Sequence, residues 1–336
     1  MTIQAYLAII EERQPLNEEE IAMKNILVSG LINIETTASV NSFPIEYQSI
    51  DYNFFGVNSM PSGVGLNLAS ALTTLGDKVS LLSICGNDTL GSVIKQELKN
   101  RNISSKHILS ILSQTPQSVV LYDKNGKRQI ICDLKDAQET TYNIDIFKTE
   151  AKNCDCLCLC NINFSREMLP IAKELNKLIV TDVHVISSLD DEYNRDFIQY
   201  ADILFMSNEN LGNAKSFVKE TAKRFGNSII VVGMGSQGSL LYTKSDDSFT
   251  ELPIYKTRKA FNTIGAGDAL LSAFTHFYIN GCSPKDSLKL ASIFASYKIG
   301  DKSASSGFLT EQELLKLAEN ISVSYTHLRA HETGAY

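Results

Sequence analysis

Short apolar segments alternate with helical ones along most of this chain, and that rhythm constrains the fold more than any single residue. Residues 24–33, 78–86, 154–162, 177–183, 202–207 and 228–235 read as buried strands, each a short apolar run. Between and after them, residues 65–76, 89–102, 165–176, 191–201, 213–226, 265–281 and 283–300 carry helical periodicity. Gly76 marks the end of the first helix, and Lys and Arg fill the last turns of the second. Strand and helix in turn predict a doubly wound, mainly parallel sheet with right-handed crossovers and helices on both faces.

Two segments break the rhythm. Residues 34–60 alternate polar and apolar positions without helical periodicity, and residues 117–134 read as two alternating strands joined by a turn at Asp123–Lys124–Asn125–Gly126. Ligands of doubly wound domains bind at the carboxyl edge of the sheet, so a β insertion there is expected to form a small lid over the site. Tyr47, Tyr52, Phe54 and Phe55 lie in the first insertion, where they could stack a base or simply pack the lid sheet.

The composition excludes several function classes. Hydrophobic residues are 43% and charged residues 21% of 336, which is ordinary for a globular protein. A formal net charge of −7 argues against nucleic acid as a partner. No run approaches a membrane span, so no membrane partner is expected. The N-terminus runs into Glu11 and Glu12 without a basic region, so it is not read as a signal peptide. Together with seven cysteines, an odd count, this favours reduced thiols and a cytoplasmic location. Cys154, Cys156, Cys158 and Cys160 alternate, so an extended strand would put all four on one face. Their spacing of about 7 Å is too wide for one tetrahedral ion, and they are read as small core hydrophobes. Residues 1–22 are expected to be an extension outside the domain, which would span 23–322 with its lid at 34–60 and 117–134. Residues 323–336 resemble translated sequencing adapter and are set aside as a non-native tail, with His327 and His331 not read as a metal pair.

The chemistry concentrates in Asn262–Thr263–Ile264–Gly265–Ala266–Gly267–Asp268, which opens a strongly helical segment. A Gly-x-Gly helix start exposes backbone N–H groups and adds the positive end of the helix dipole, which makes an anion hole for a phosphate. Asp268, in the first turn, could accept a proton from a substrate hydroxyl, and the dipole should hold its pKa low. The plain alternative is an acidic N-terminal residue after a Gly-rich turn.

This motif resembles the second signature of the PfkB, or ribokinase-like, carbohydrate kinase family. Pro61 to Ala69, with Ser62, Gly63, Gly65 and Asn67, resembles the first signature. Gly30–Leu31–Ile32–Asn33–Ile34–Glu35 resembles the family's first strand end, Cys85–Gly86–Asn87–Asp88 with Gly91 its Gly-x-Asp-x-x-Gly, and Val232 to Gly238 its nucleotide-binding turn. The order and spacing match over roughly residues 24–320. The resemblance implies a ribokinase-like α/β fold with a β lid, and ATP-dependent phosphorylation of a sugar or ribonucleoside hydroxyl with Mg2+. By the same resemblance Asp268 is the base, and Gly265, Ala266 and Gly267 form the anion hole. Asn33, Glu35, Gly63 and Asn67 would then line the acceptor hydroxyls, and Asn208, Gly235, Gly238 and Thr263 would hold the nucleotide. Asn beside a carboxylate offers a polyol both donors and acceptors.

Three positions depart from the family pattern. Asn262 stands where potassium-binding relatives carry Asp, which makes a K+ site doubtful. Asn208 is followed directly by Glu209 rather than by a Glu three positions on. Glu209 is the candidate for reaching magnesium through water, with a dipole-favouring surface carboxylate as the alternative. Ser62 replaces the usual Gly. The first signature otherwise looks closest to pseudouridine kinases, and Asn161–Ile162–Asn163 sits where those enzymes have a polar cluster, so Asn163 joins the acceptor candidates. A ribosyl or nucleoside acceptor is therefore favoured, with a free hexose or pentose kinase and a non-catalytic sugar- or nucleoside-binding regulator as alternatives. The lid strands could also pair between two copies, giving a homodimer.

Overall fold

The computed structural model describes residues 1–6 and 23–321. The readings of residues 7–22 and 322–336, His327 and His331 included, lie outside the described residues.

A short β1 (Asn25–Ser29) runs into the crevice and hands the chain to a hairpin, β2 (Asn33–Ser39) and β3 (Val57–Ser62). Helix α1 (Val64–Leu75), β4 (Lys78–Gly86), α2 (Thr89–Asn100) and β5 (Ile108–Leu112) follow, then a second hairpin, β6 (Gln117–Tyr122) and β7 (Arg128–Asp133). Next come α3 (Ile144–Ala151), β8 (Cys156–Leu159), α4 (Asn163–Arg166), α5 (Met168–Glu174), β9 (Leu178–Asp182), α6 (Arg195–Tyr200), β10 (Ile203–Ser207), α7 (Ala214–Phe225) and β11 (Ile229–Gly233). The chain continues with β12 (Ser239–Thr243), β13 (Ser248–Leu252), α8 (Ala266–Ile279) and α9 (Pro284–Lys298). Residues 311–321 are also helical.

Nine strands form one sheet in the order β13-β12-β11-β10-β9-β8-β1-β4-β5. From β5 to β11 all pairs are parallel, while β11–β12 and β12–β13 are antiparallel. The sheet is doubly wound: β1 sits mid-sheet, with β4 on one side and β8 on the other. The order reverses at β1, so the crevice beyond the carboxyl ends of β1 and β8 is the place such sheets offer a ligand. Helices cover both faces, and each face has its own core. Val28, Phe205, Val231, Phe274 and Phe294 belong to one, and Leu27, Leu157, Leu204, Ile230 and Phe197 to the other. Helices α8 and α9 pack together on the first face, where Phe274 and Phe277 are fully buried.

A separate four-stranded sheet runs β3-β2-β6-β7. It is built from the two segments expected to break the rhythm, and β2 pairs with β6 in parallel while the hairpin pairs are antiparallel. Gly126 closes the second hairpin with Asp123 accepting from Asn125 and Lys127 N–H.

Several local expectations need correction. Residues 165–176 are not one helix. The break falls after Arg166, because Pro170 has no N–H to give the carbonyl four residues back and its ring crowds it. The four alternating cysteines do not share a face: β8 begins at Cys156, so Cys156, Cys158 and Cys160 join one core while Cys154, outside the strand, joins the other. β5, β12, β13 and α3 were not anticipated. The aromatics Tyr47, Tyr52, Phe54 and Phe55 lie in the irregular connection between β2 and β3, not in lid strands. They point to solvent, Phe55 being 99% exposed, so they do not pack the sheet. No helix among the described residues is long and apolar enough to cross a membrane.

Candidate active site

The turn before α8 is closely specified by its neighbours. Gly265 is the N-cap and takes φ 73, a left-handed conformation that glycine adopts without strain. A Cβ there would meet Ala304 O at 2.7 Å, so the loop after α9 supports the turn from behind. Asn262 folds the preceding chain: its Oδ1 accepts from Ile264 N at 3.0 Å, and its Nδ2 donates to Lys302 O at 3.0 Å. Gly265, Ala266 and Gly267 thus open α8 at the positive end of its dipole, with the Ala266 N–H turned back to Thr263 O at 3.3 Å.

Asp268 sits in the first turn of α8 and is 9% exposed. Its Oδ2 accepts from Asn67 Nδ2 at 2.6 Å, which ties α8 to α1. Gly63 starts α1 at φ 98, and a side chain there would lie 2.5 Å from Leu31 O. The missing side chain therefore lets the start of α1 lie against the chain leaving β1. Ser62 bonds to Asn67 Oδ1 at 3.4 Å and also to Glu35. Glu35 and Asn33 rise from β2, and Asn33 Nδ2 donates to Ser118 Oγ at 2.9 Å. Asn33 Oδ1 and Glu35 Oε1 are buried without a hydrogen-bond partner. Buried polar atoms are nearly always satisfied, so these two are candidates to meet a polar ligand.

The electrostatics correct one expectation. Asp268 does not have a depressed pKa. Burial raises it, the neighbouring Asp182 adds to the rise, and His184, the Asn67 hydrogen bond and Lys298 only partly offset it. A raised carboxylate is a better base than a dipole-stabilised one. Glu35 is raised as well, first by burial and then by the charge of Asp268, with Lys298, Ser62 and Arg128 pulling it back. Asp182 and His184 were missed by the sequence reading. Asp182 ends β9, and its Oδ2 would stand 3.7 Å from a Cβ on Gly267. Its charge beside His184, at 3.3 Å, lifts that imidazole to about 9, so His184 brings positive charge to the anion-hole side. The position of both just past a central strand was the available signal.

The nucleotide candidates gather at adjacent strand ends. Asn208 N donates to Gly233 O at 2.9 Å, which joins the end of β10 to the end of β11. Gly235 and Gly238 bracket the turn that follows, and Met234 N donates to Gly238 O at 2.9 Å. Glu209 is exposed beside Asn208, its N–H donating to Ser207 Oγ at 3.2 Å. Thr263 receives Arg128 Nη1 from β7 at 3.4 Å, so the lid reaches across to the anion-hole loop. Asn163 stands apart from these clusters in its bonding: its Nδ2 donates to Gln138 O and its Oδ1 accepts from Arg166 Nε at 3.0 Å. Both atoms of that amide are committed within the protein.

A model of the pfkB family of carbohydrate kinases matches residues 23–311. The chain belongs to this family. It is therefore a phosphotransferase acting on sugar hydroxyls, and the family includes kinases for sugars and nucleosides. Among similar proteins, a ribokinase from Dictyostelium discoideum is 27% identical over 308 residues, covering 82% of this chain and 94% of its own length. A 5-dehydro-2-deoxygluconokinase from Clostridium beijerinckii is 25% identical over 331 residues, covering 84% of this chain and 94% of its own. The structure of Arabidopsis thaliana ribokinase complexed with ribose and ATP superposes with TM-score 0.72 at 20% identity, covering 88% of this chain and 99% of that one. That likeness shows the ribokinase-like fold, with its large sheet and smaller second sheet.

Proposed function

We propose that this pfkB-family kinase moves the γ-phosphoryl group of ATP to a hydroxyl of a ribosyl acceptor, either a free pentose or a nucleoside. The observation that carries the acceptor side is the pair of orphaned buried oxygens, Asn33 Oδ1 and Glu35 Oε1, with Glu35 near enough to Asp268 to feel its charge. Vicinal hydroxyls would supply donors to both. Asp268, raised by burial, takes the proton of the attacked hydroxyl, while Asn67 Nδ2 fixes its other oxygen toward α1. The N–H groups of Gly265 and Gly267, with that of Ala266 once it leaves Thr263 O, receive the charge that spreads over the transferring phosphoryl oxygens. ATP would lie along the ends of β10 and β11, against Asn208, Gly235, Gly238 and Thr263. Magnesium would neutralise the β- and γ-phosphate charge. The ion would be carried chiefly by phosphates and water, with the exposed Glu209 as the carboxylate that would act on it through water.

A second reading has one observation behind it. Arg128 projects from the lid to Thr263 and acts on Glu35, so a cation stands at the acceptor pocket. An anionic sugar acid would pair with it. The test is ATP turnover with ribose, deoxyribose, nucleosides and 2-keto sugar acids, for the wild type and Asp268→Asn. A ribosyl acceptor should support turnover, and Asp268→Asn should lose about 10²–10⁴ of it while still binding ATP. Turnover with sugar acids only would favour the second reading, and near-normal turnover of Asp268→Asn would remove Asp268 as the base.

A further inference from the structure

Lys298 closes α9 and is 0% exposed, a position a lone ammonium almost never takes. Its Nζ donates to Ile264 O at 2.7 Å and to Ser303 O. The first carbonyl belongs to the residue immediately before Gly265. The second belongs to the loop 301–305, which presses on Gly265 through Ala304 O. Asn262 Nδ2 clasps the same loop at Lys302 O, and Ser305 Oγ reaches Pro61 O in β3 at 3.2 Å. One buried cation therefore bridges two loops behind the anion hole, and those loops are tied in turn to the lid.

Burying a charge in this way is costly unless it is compensated. Burial pushes the Lys298 ammonium down to about 8, while Asp301, Asp268 and Glu35 hold it up and Arg258 opposes them. Backbone carbonyls converging on one positive charge are also the environment in which a monovalent cation sheds its water. Here the cation is covalently attached to the chain. Neutral Asn262, whose amide is fully used in the turn and the clasp, brings no carboxylate to a free ion at that place.

We propose that Lys298 is a tethered cation that sets the geometry of the anion hole, so that turnover needs no free monovalent ion. It is a positioning residue: its carbonyl partners touch the turn, and it does not itself touch the reacting atoms. This rests on the reading of Gly265 to Asp268 as the phosphoryl site.

The experiment compares wild type, Lys298→Ala and Lys298→Met in choline chloride, LiCl, KCl and NH4Cl at matched ionic strength. Both the melting temperature, which requires no acceptor, and turnover are followed. Wild-type turnover should stay within about two-fold across the salts. Lys298→Ala should lose about 100-fold in choline or lithium, the scale of a small misplacement at the reacting centre. It should regain at least about ten-fold in potassium or ammonium, with a matching rise in melting temperature. Lys298→Met fills the space without charge and should stay slow in every salt. A potassium-activated wild type, a fully active Lys298→Met, or a folded Lys298→Ala indifferent to cation identity would each overturn the proposal. A wild type inactive on every acceptor, paired with potassium-specific stabilisation of Lys298→Ala, would sink the phosphoryl-site reading and leave the tethered cation standing.

Discussion

Strands β8 and β7 both carry apolar residues and meet opposite fates. β8, CLCL, is buried along its whole length, and β7, RQIICD, is exposed along its whole length, with Ile130 and Ile131 about half open. Part of the difference is in the strands, CLCL being wholly apolar and RQIICD polar at Arg128, Gln129 and Asp133, and part is in what lies over them. β8 has strands on both sides and helices on both faces, whereas β7 is the edge of a sheet whose contacts with helices α1 and α2 fall on β2 and β3. Of the buried apolar residues on the lid strands, Ile34 of β2 joins the core on one face of the large sheet, while Val120 packs with Ile264 and Ala304, which belong to the loops around the anion hole. The large sheet is held by its own core. The small sheet is held in part by that core, through Ile34, and in part by the site it covers, through Val120.

That contrast can be broken most directly by stability. Phe274, fully buried on α8, packs edge-on to Phe205 at 5.5 Å between ring centres. Phe274→Ala should cost about 3–5 kcal/mol in denaturant unfolding, and Phe55→Ser, at the lid tip, should stay within about 0.5 kcal/mol. Comparable losses would mean the lid tip packs in solution.

Hydrogen exchange sharpens the comparison at a smaller scale. Amides of residues 34–60 and 117–134 should exchange fast in the free protein and gain protection with acceptor and nucleotide, while β8 to β11 stay protected throughout. Lid protection that rises with protein concentration alone, without ligand, would assign that sheet to pairing between two copies and not to closure over substrate.

The smallest effect concerns charge at the crevice floor. His184 lowers the pKa of Asp268, so removing its positive charge raises that pKa further. The base form of Asp268 is then lost at a higher pH. His184→Gln should shift the acid limb of the kcat/KM profile upward, and a limb that stays in place or moves down would detach His184 from Asp268.

What the sequence made legible follows from how local each signal is. The 262–268 turn, the α1 start at Gly63 and the strand–helix rhythm are short-range, and their residues stand where those patterns imply. Asp182, His184, Arg128 and Lys298 carry no local pattern. They meet Asp268 or its loop only because β7, β9 and α9 end at one crevice. The raised Asp268 was equally illegible, because the helix start is local while the burial that outweighs it comes from the rest of the fold. Lys298 in particular reads as an ordinary basic residue at a helix C-terminus, and only its complete burial sets it apart.

The central place of β1 has a cost in time. Its free edge is completed by β8, and Ser29 meets Ser165 from 136 positions away at 2.8 Å. At about 5–20 residues per second of synthesis, that edge waits on the order of ten seconds for its partner. Throughout that interval Ile26, Leu27 and Val28 form one unpaired, apolar border of a half-built sheet. The crevice floor is among the late parts of the molecule to close, and a ribosome-bound chain of this kind presents chaperones with a sticky strand before it presents anything with a working site.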